Sequence, residues 1–193
     1  MEPKGFTRFE LSVVVAVIAV LAAILTPLVT AYIDQVRNNR AIADVRAIAQ
    51  AFQLHKRDTG QFPVYANVMD SEDDTESETE LVGNGNVPTI LGASWDLTSS
   101  GDMDTFLNTN KLNLPTNNPG RDRVAYRGPY LEEIGQDPWG NQYVVNAINL
   151  LRSSTSIGFA ISAGPNGNLD TDRDQVSSGS LTTTGDDIVV RIQ

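Results

Sequence analysis

The sequence predicts an α+β fold: one long amino-terminal α-helix, able to span a membrane in its first half, packed on a small antiparallel β-sheet. An uncharged apolar run from Leu11 to Ile33 predicts the first half of the helix, and amphipathic spacing continues it as far as Asp58. Three short β-type segments, at 143–145, 157–162 and 188–192, predict the sheet.

The apolar run is long enough to cross a bilayer. Its 23 residues rise about 35 Å as a helix, which exceeds the hydrocarbon core of about 30 Å. Gly5 lies before the run, so cleavage there would keep the helix on the mature protein, unlike cleavage of a secretory signal peptide. Lys4 and Arg8 favour a cytoplasmic amino terminus, with the bulk of the chain across the membrane.

The residues that begin this helix carry a family resemblance. Gly5, Phe6 and Glu10 resemble the start of type IV pilins and type II secretion pseudopilins, and Pro27 falls where many members have a proline. The resemblance implies that a prepilin peptidase removes the leader 1–5, that Phe6 is then N-methylated, and that residues 6–33 form a polymerisation helix in a fibre. Proline also removes a helical hydrogen bond, so we expect a kink or local melt between Ala23 and Pro27.

Glu10 is a lone carboxylate at the start of the apolar run, where a charge is costly and normally marks function. Inside a bundle it needs a cation, and the nearest candidate after cleavage is the amine of Phe6 on a neighbouring subunit. Such a pair would fix the stagger between subunits. The alternative is an ordinary signal anchor with a boundary charge at the lipid headgroups.

Composition limits the rest of the chain. The formal net charge of −10 belongs entirely to residues 34–193, which argues against nucleic acid as the main partner. No cysteine is present, so disulfides cannot cross-link the exported domain. A chain of 193 residues holds one membrane helix and one domain.

The second half of the helix belongs to a segment 34–63 with one apolar side, formed by Ile42, Val45, Ala49 and Phe52. We expect Gly60 to cap the helix and Pro63 to prevent its return.

His55, the only histidine, lies near the carboxyl end of this helix, where the helix dipole favours a cation. The chain has no cysteine, and no serine near His55 forms a recognisable nucleophile motif. We therefore expect His55 to be a structural or solvated residue.

Residues 64–127 form a weakly patterned, variable acidic insert. Its acidic run between residues 66 and 80 predicts a solvated, mobile loop, and the alternative is a surface that decides partner choice. Short elements are expected near Ile90, Leu91 and Trp95, one helical turn between 103 and 114, and a turn at 117–120.

The segment 128–193 carries the sheet and contains a second recognisable motif. Asp137-Pro138-Trp139-Gly140-Asn141-Gln142-Tyr143 resembles the DPWGNxY segment of the major pseudopilin of type II secretion. We expect a turn in which Gly140 has a positive φ and Trp139 is a buried anchor. The alternative is a turn without diagnostic value.

The acidic loop of residues 163–187 resembles the calcium loop of the same pseudopilins. This resemblance implies that Ca²⁺ is bound by oxygens of Asn166, Asp170, Asp172, Asp174, Asp186 and Asp187. Calcium needs six to eight oxygen ligands, and crowded carboxylates repel one another without a cation. An EF-hand is excluded by Gln175 and Leu181. Asn166 stands where an aspartate is common and 174–184 looks like an insertion, so a solvated acidic loop remains the alternative.

The sequence therefore predicts a structural subunit of a type II secretion pseudopilus in the inner membrane, with a periplasmic domain. The resemblance implies a homopolymer, an inner-membrane assembly platform and minor pseudopilins as partners. No catalytic residue is predicted, and no phosphate-binding loop is present. The alternatives are a surface type IV pilin used for adhesion or motility, and a signal-anchored domain that never polymerises.

Overall fold

The computed structural model describes residues 5, 7–64, 79–110, 116, 124–152 and 154–193. Predictions for the leader 1–4, for Phe6, for most of the acidic run and for the turn at 117–120 lie outside these residues. The chain divides into two compact units, Met1–Asn39 and Arg40–Gln193.

Helix α1, Arg8–Thr59, begins in the first unit and ends in the second. Its apolar part is long and hydrophobic enough to cross a membrane, with a mean hydropathy of 2.8 in its most apolar window. Helix α1 is unbroken through Pro27, so it shows no local melt between Ala23 and Pro27, and the kink stays a prediction. The proline removes one N–H from the ladder, and the hydroxyls of Thr26 and Thr30 add bonds to the carbonyls of Ala22 and Thr26 at 2.7 and 3.0 Å.

The second unit contains the carboxyl-terminal part of α1, which buries Val45, Ala49 and Phe52 as its amphipathic pattern predicts. Ile42 of the same predicted side is only half-buried, and Ile48, which was not predicted, is buried. The helix ends one residue later than predicted, and Gly60 caps it with φ +81° and a 2.8 Å bond from its N–H to the carbonyl of Lys56.

Seven short strands lie in the described part of the second unit. They are β1 (Leu81–Val82), β2 (Thr89–Ile90), β3 (Gly101–Asp102), β4 (Val144–Val145), β5 (Phe159–Ser162), β6 (Asn168–Leu169) and β7 (Ile188–Arg191). A short helix α2, Met103–Asn108, and 3₁₀ turns at Leu97–Ser99 and Ala147–Leu150 connect them. The α2 turn confirms the helical turn predicted in that region.

The main sheet has the order β3-β1-β4-β5-β7, and β2 pairs with β6 in a separate ribbon. The three predicted strands are its antiparallel centre and edge, with Ser162 opposite Ile188 and Val144 opposite Ile161. The predicted fold class is thus confirmed, but the sheet is mixed because β1 and β3 run parallel. Residues 83–100 connect these two strands, which is long enough for the crossover that a parallel pair requires.

The sheet is buried on both faces. One face packs with α1 and includes Leu81, Met103 and Val145, whereas the other includes Trp95 and Phe159. Residues 79–110 of the weakly patterned insert therefore supply core side chains on both faces.

The buried indole is not the predicted one. Trp139 is only partly buried, whereas Trp95 is 7% exposed and lies edge-on to Phe159 with ring centroids 5.9 Å apart. Its Nε1 donates to the carbonyl of Thr171 at 2.7 Å, so Trp95 ties the insert to the acidic loop.

Candidate functional site

The start of α1 forms a reciprocal cap around Glu10. The amide and hydroxyl of Thr7 donate to Glu10 Oε2 at 2.8 and 2.9 Å, and the amide of Glu10 donates to Thr7 Oγ1 at 3.2 Å. The first amides of a helix lack backbone acceptors, and this arrangement satisfies two of them. Sequence analysis missed Thr7, although its spacing of three residues from Glu10 is the signal of a capping box.

Gly5 and Pro27, the other described residues predicted for processing and assembly, are not covered by the rest of the chain. Gly5 is exposed, and a Cβ placed on it would meet no atom within 4 Å. Pro27 lies in the exposed apolar part of α1. The predicted processing site is therefore accessible at Gly5, while Phe6 lies outside the described residues.

The Asp137 turn is organised by a buried carboxylate. Asp137 is 2% exposed, and its Oδ1 accepts bonds from the amides of Trp139 and Asn141 at 2.9 and 2.8 Å. Gly140 has the predicted positive φ, +95°, and its N–H donates to the carbonyl of Asp137 at 3.0 Å. Asp137 Oδ2 accepts from the hydroxyl of Ser162 at 2.8 Å, which joins this turn to the end of β5, where the acidic loop begins.

At the other end of the acidic loop, Asp187 folds back on the chain. Its Oδ2 accepts from the amides of Asp170 and Thr171 at 2.9 and 2.6 Å. Burial raises the pKa of Asp187, and the hydrogen bonds from Thr171 and Asp170 only partly oppose this effect. Its Oδ1 is buried and has no hydrogen-bond partner in the described part of the chain.

Asp186, Asp170 and Asn166 lie beside it. Asp186 Oδ2 accepts from the amide of Asn166 at 3.0 Å, and the Asn166 side-chain amide donates to Asp170 Oδ2 at 3.0 Å. Asp186 Oδ1 is buried and, within the described ranges, unpartnered. Gly185 has φ +68°, and a Cβ there would clash with the Asp170 carboxylate. The loop thus brings together four of the six predicted ligands.

The remaining two predicted ligands, Asp172 and Asp174, already have hydrogen-bond partners in the protein. Asp172 Oδ1 accepts from the amide of Ala93 at 2.7 Å. Asp174 receives two 3.0 Å bonds from the Arg173 guanidinium and one of 3.2 Å from the Asn149 amide. These contacts fix the loop to its surroundings.

The chemistry of the four gathered residues suits a hard cation, which needs oxygen ligands. Asp186 Oδ1 and Asp187 Oδ1 are acceptors without donors among the described residues. The carboxylate of Asp170 accepts from the side-chain amide of Asn166. Among the residues that the structure describes, however, no three acidic, histidine or cysteine side chains form a ready metal cage. Any ion must therefore also use main-chain or solvent oxygens.

A buried ion pair between Glu80 and Arg173, which sequence analysis missed, connects the acidic loop to the residue before β1. Glu80 was grouped with the solvated acidic run, yet it is fully buried, and its Oε1 lies 2.7 Å from Arg173 Nη1. Hydrogen bonds to Asp174, and then to Glu80, raise the pKa of Arg173 against the opposing effect of burial. The single signal in the sequence was that Glu80 directly precedes the apolar pair of β1.

His55 is structural, as predicted. It is buried, its Nδ1 lies 3.0 Å from the carbonyl of Gln61, and its ring meets that of Tyr130 edge-on at 5.2 Å. Burial lowers the pKa of His55, and the hydrogen bond with Gln61 and the charge of Asp58 only partly oppose this effect.

No family model matches the chain, and no solved structure matches it. It is similar to the "Type II secretion system core protein G" of Pseudomonas aeruginosa, with 26% identity over 142 residues, covering 74% of this chain and 72% of that protein. The protein of the same name from Escherichia coli is 22% identical over 182 residues and 91% of each chain. That of Aeromonas hydrophila is 24% identical over 141 residues. These similarities confirm the resemblance to pseudopilins that Gly5, Phe6 and Glu10 indicated.

Proposed function

We propose that this chain is a non-catalytic structural subunit of a type II secretion pseudopilus, which polymerises through α1 to drive or support protein export. The observation that carries the proposal is the similarity to type II secretion core proteins G over as much as 91% of the chain. The membrane-length helix that begins at a lone carboxylate agrees with it.

In this proposal the leader ends at Gly5, and the new amine of Phe6 in one subunit pairs with Glu10 of a neighbour. Both hydrogen bonds from Thr7 use Oε2 of Glu10, which leaves Oε1 to accept from that amine. The intrachain cap and the pair between subunits are therefore compatible. Before assembly the apolar part of α1 holds the subunit in the inner membrane, with its amino terminus cytoplasmic and its second unit periplasmic. This function requires three kinds of partner: a prepilin peptidase, an assembly platform and minor pseudopilins.

Replacing Glu10 tests the pairing. Glu10→Ala should leave membrane insertion intact, because it removes only a charge from the edge of the apolar run, but should abolish or disorder fibres. Asp34→Ala is the matched control, since Asp34 is an exposed carboxylate of the same helix that lies 3.9 Å from Arg37. Electron microscopy and membrane fractionation measure the two effects. Normal fibres from Glu10→Ala would remove the pairing argument.

The mass of the mature amino-terminal peptide tests the processing. A methylated Phe6 is expected as the first residue. An intact Met1 would leave a signal-anchored domain as the function, and a cut after Ile33 would remove both the anchor and the polymerisation helix.

We further propose that the acidic loop binds Ca²⁺ through Asn166, Asp170, Asp186 and Asp187, with Asp172 and Asp174 holding the loop in place. The bound ion would supply positive charge that keeps these carboxylates together. Two features of the chain support this: the unpartnered oxygens of Asp186 and Asp187, and the hydrogen bonds that bring Asn166, Asp170, Asp186 and Asp187 together.

Calcium should raise the melting temperature of the full-length chain in detergent, and a chelator should reverse the effect. At a free calcium concentration 100 times Kd the stabilisation is about 2.7 kcal/mol. Asp187→Asn should lose the response, while Glu132→Gln, a change at an exposed carboxylate outside the loop, should keep it. An unchanged transition in wild type discards the calcium site.

A further inference from the structure

Two surface segments of the second unit carry the same tripeptide, Asn-Gly-Asn, at residues 84–86 and 166–168. Asn84 and Asn166 are both exposed, so water reaches either side chain. Asparagine before glycine is prone to react with its own backbone, because glycine has no Cβ to hinder the approach of its nitrogen to the asparagine side chain. Since sequence and exposure match, any difference in reactivity between the two sites must come from their other contacts.

At the second site both polar atoms of the Asn166 side chain are held. The amide of Asn168 donates to Asn166 Oδ1 at 2.6 Å, and Asn166 Nδ2 donates to Asp170 Oδ2 at 3.0 Å. The first bond would stabilise the negative charge that develops on Oδ1 when a nucleophile attacks Cγ. The N–H of Gly167 donates to the carbonyl of Gly164 at 3.3 Å, which is longer than a typical bond. The nucleophilic nitrogen is thus weakly held beside an activated carbonyl.

The first site, at Asn84, has the same sequence but other contacts. The amide of Asn86 donates to the carbonyl of Gly140 at 2.9 Å, so it is engaged away from the Asn84 side chain. A Cβ on Gly85 would lie 2.8 Å from the backbone carbonyl of Asn141, which shows that this glycine is packed against another segment. The movement that ring closure needs is therefore hindered at Asn84, and the stabilising donor is missing there.

We propose that Asn166 deamidates spontaneously in the folded chain and that the new carboxylate loosens the acidic loop. The Gly167 nitrogen loses its proton to solvent base and forms a bond to Asn166 Cγ. The Cγ–Nδ2 bond breaks, and Nδ2 leaves as ammonia after it takes a proton from water. A second water opens the cyclic imide, which leaves aspartate or isoaspartate at position 166. The net change is one amide and one water to one carboxylate and one ammonium ion.

The product changes the charge inside the acidic loop. Asn166 Nδ2 donates to Asp170 Oδ2, and an oxygen would take the place of this nitrogen. Two carboxylates about 3 Å apart repel each other, so a like-charge contact replaces the hydrogen bond. The modification should therefore open the segment 166–170 as the chain ages. It goes beyond the proposed function, since it requires neither polymerisation nor calcium.

Peptide mass spectrometry of the full-length chain, aged in detergent with a chelator, measures the reaction at both sites. Deamidation at Asn166 should be about tenfold faster than at Asn84, because a hydrogen bond to the developing charge lowers the barrier. In denaturant the two rates should become equal, since the tripeptides are identical. Equal rates in the folded chain, a faster reaction at Asn84, or a difference that persists in denaturant overturns the proposal.

Asn166→Asp supplies one of the two products directly and tests its effect on the loop. With the chelator present, amide hydrogen exchange in the segment 166–170 should be about fivefold faster than in wild type, because the bond to Asp170 is lost. Asn84→Asp is the matched control, since it makes the same change in the same tripeptide outside the acidic loop. It should leave exchange in the segment 166–170 unchanged. Equal exchange in both variants would show that the new carboxylate does not loosen the loop.

Discussion

Replacement of Asp137 tests whether one buried carboxylate holds the sheet and its two neighbouring motifs together. Asp137→Ala removes the acceptor of three donors: the amides of Trp139 and Asn141 and the hydroxyl of Ser162. The backbone turn remains possible, since the N–H of Asp137 still donates to the carbonyl of Asn141 at 2.9 Å. The variant should therefore fold, with lower stability.

The size of the effect follows from the contacts. A hydrogen bond to a charged group contributes about 1.5–3 kcal/mol, but water can reach the two partly buried amides once the carboxylate is gone. We expect Asp137→Ala to lower the free energy of unfolding by about 3–5 kcal/mol, which corresponds to a fall of roughly 6–20 °C in melting temperature for a chain of this size. Asp137→Asn keeps an oxygen for both amides and should cost only about 1–2 kcal/mol.

Thermal unfolding of the full-length chain in detergent, followed by tryptophan fluorescence, measures this difference, because both tryptophans lie in the second unit. Glu133→Ala, a nearby exposed carboxylate, is the matched control. A double-mutant cycle with Ser162→Ala should give a coupling of about 1 kcal/mol or more. If the alanine and asparagine variants of Asp137 have the same melting temperature, or if both have that of the control, the carboxylate does not organise the turn.

Two other sites, the Glu80–Arg173 pair and His55, give independent tests. Arg173→Met should lower the free energy of unfolding by about 3–5 kcal/mol, because it leaves Glu80 buried without a cation. The double variant with Glu80→Met should recover much of that loss. A double variant as unstable as Arg173→Met alone contradicts the assignment of a buried ion pair. The NMR titration of the single histidine should give a pKa below 6.5, since burial favours neutral His55. Its contribution to stability is then present above the unfolded pKa of about 6.5 and is lost as the pH falls through the lower pKa of the folded state; a measured value above 6.5 contradicts this.

The strongly periodic parts of the fold could be predicted from sequence, and the short elements could not. Helix α1 and strands β4, β5 and β7 lie where hydrophobic periodicity placed them, within one or two residues at most boundaries. Strands β1, β2 and β3 have only two residues each, which is too short for any period to be visible. Their positions depend on pairing with distant residues, as in the contact between Leu81 and Val145. Strand β4 is equally short and was predicted because it directly follows the turn motif at 137–143.

The same distinction applies to the candidate sites. Local motifs identified Glu10 and the acidic loop, and the Thr7 cap was equally local and could have been found. The burial of Glu80 could not, because its partner Arg173 is 93 residues away in sequence. Asp172 and Asp174 look like ligands in sequence, and only the positions of Ala93 and Asn149 reveal their other partners.

The sheet itself determines how a cation would act on the acidic loop. Ser162 and Ile188, the residues that flank the loop, lie opposite each other in the β5–β7 pair, and three further residue pairs fix that register. The loop is also attached in its middle, because the carbonyl of Thr171 accepts from Trp95 and its amide donates to Asp187. A preformed base and a fixed midpoint lower the conformational entropy that ion binding must overcome. Calcium should therefore order the Asp170 and Asp186 region of a sheet that already exists, and its removal should loosen the loop before it unfolds the second unit.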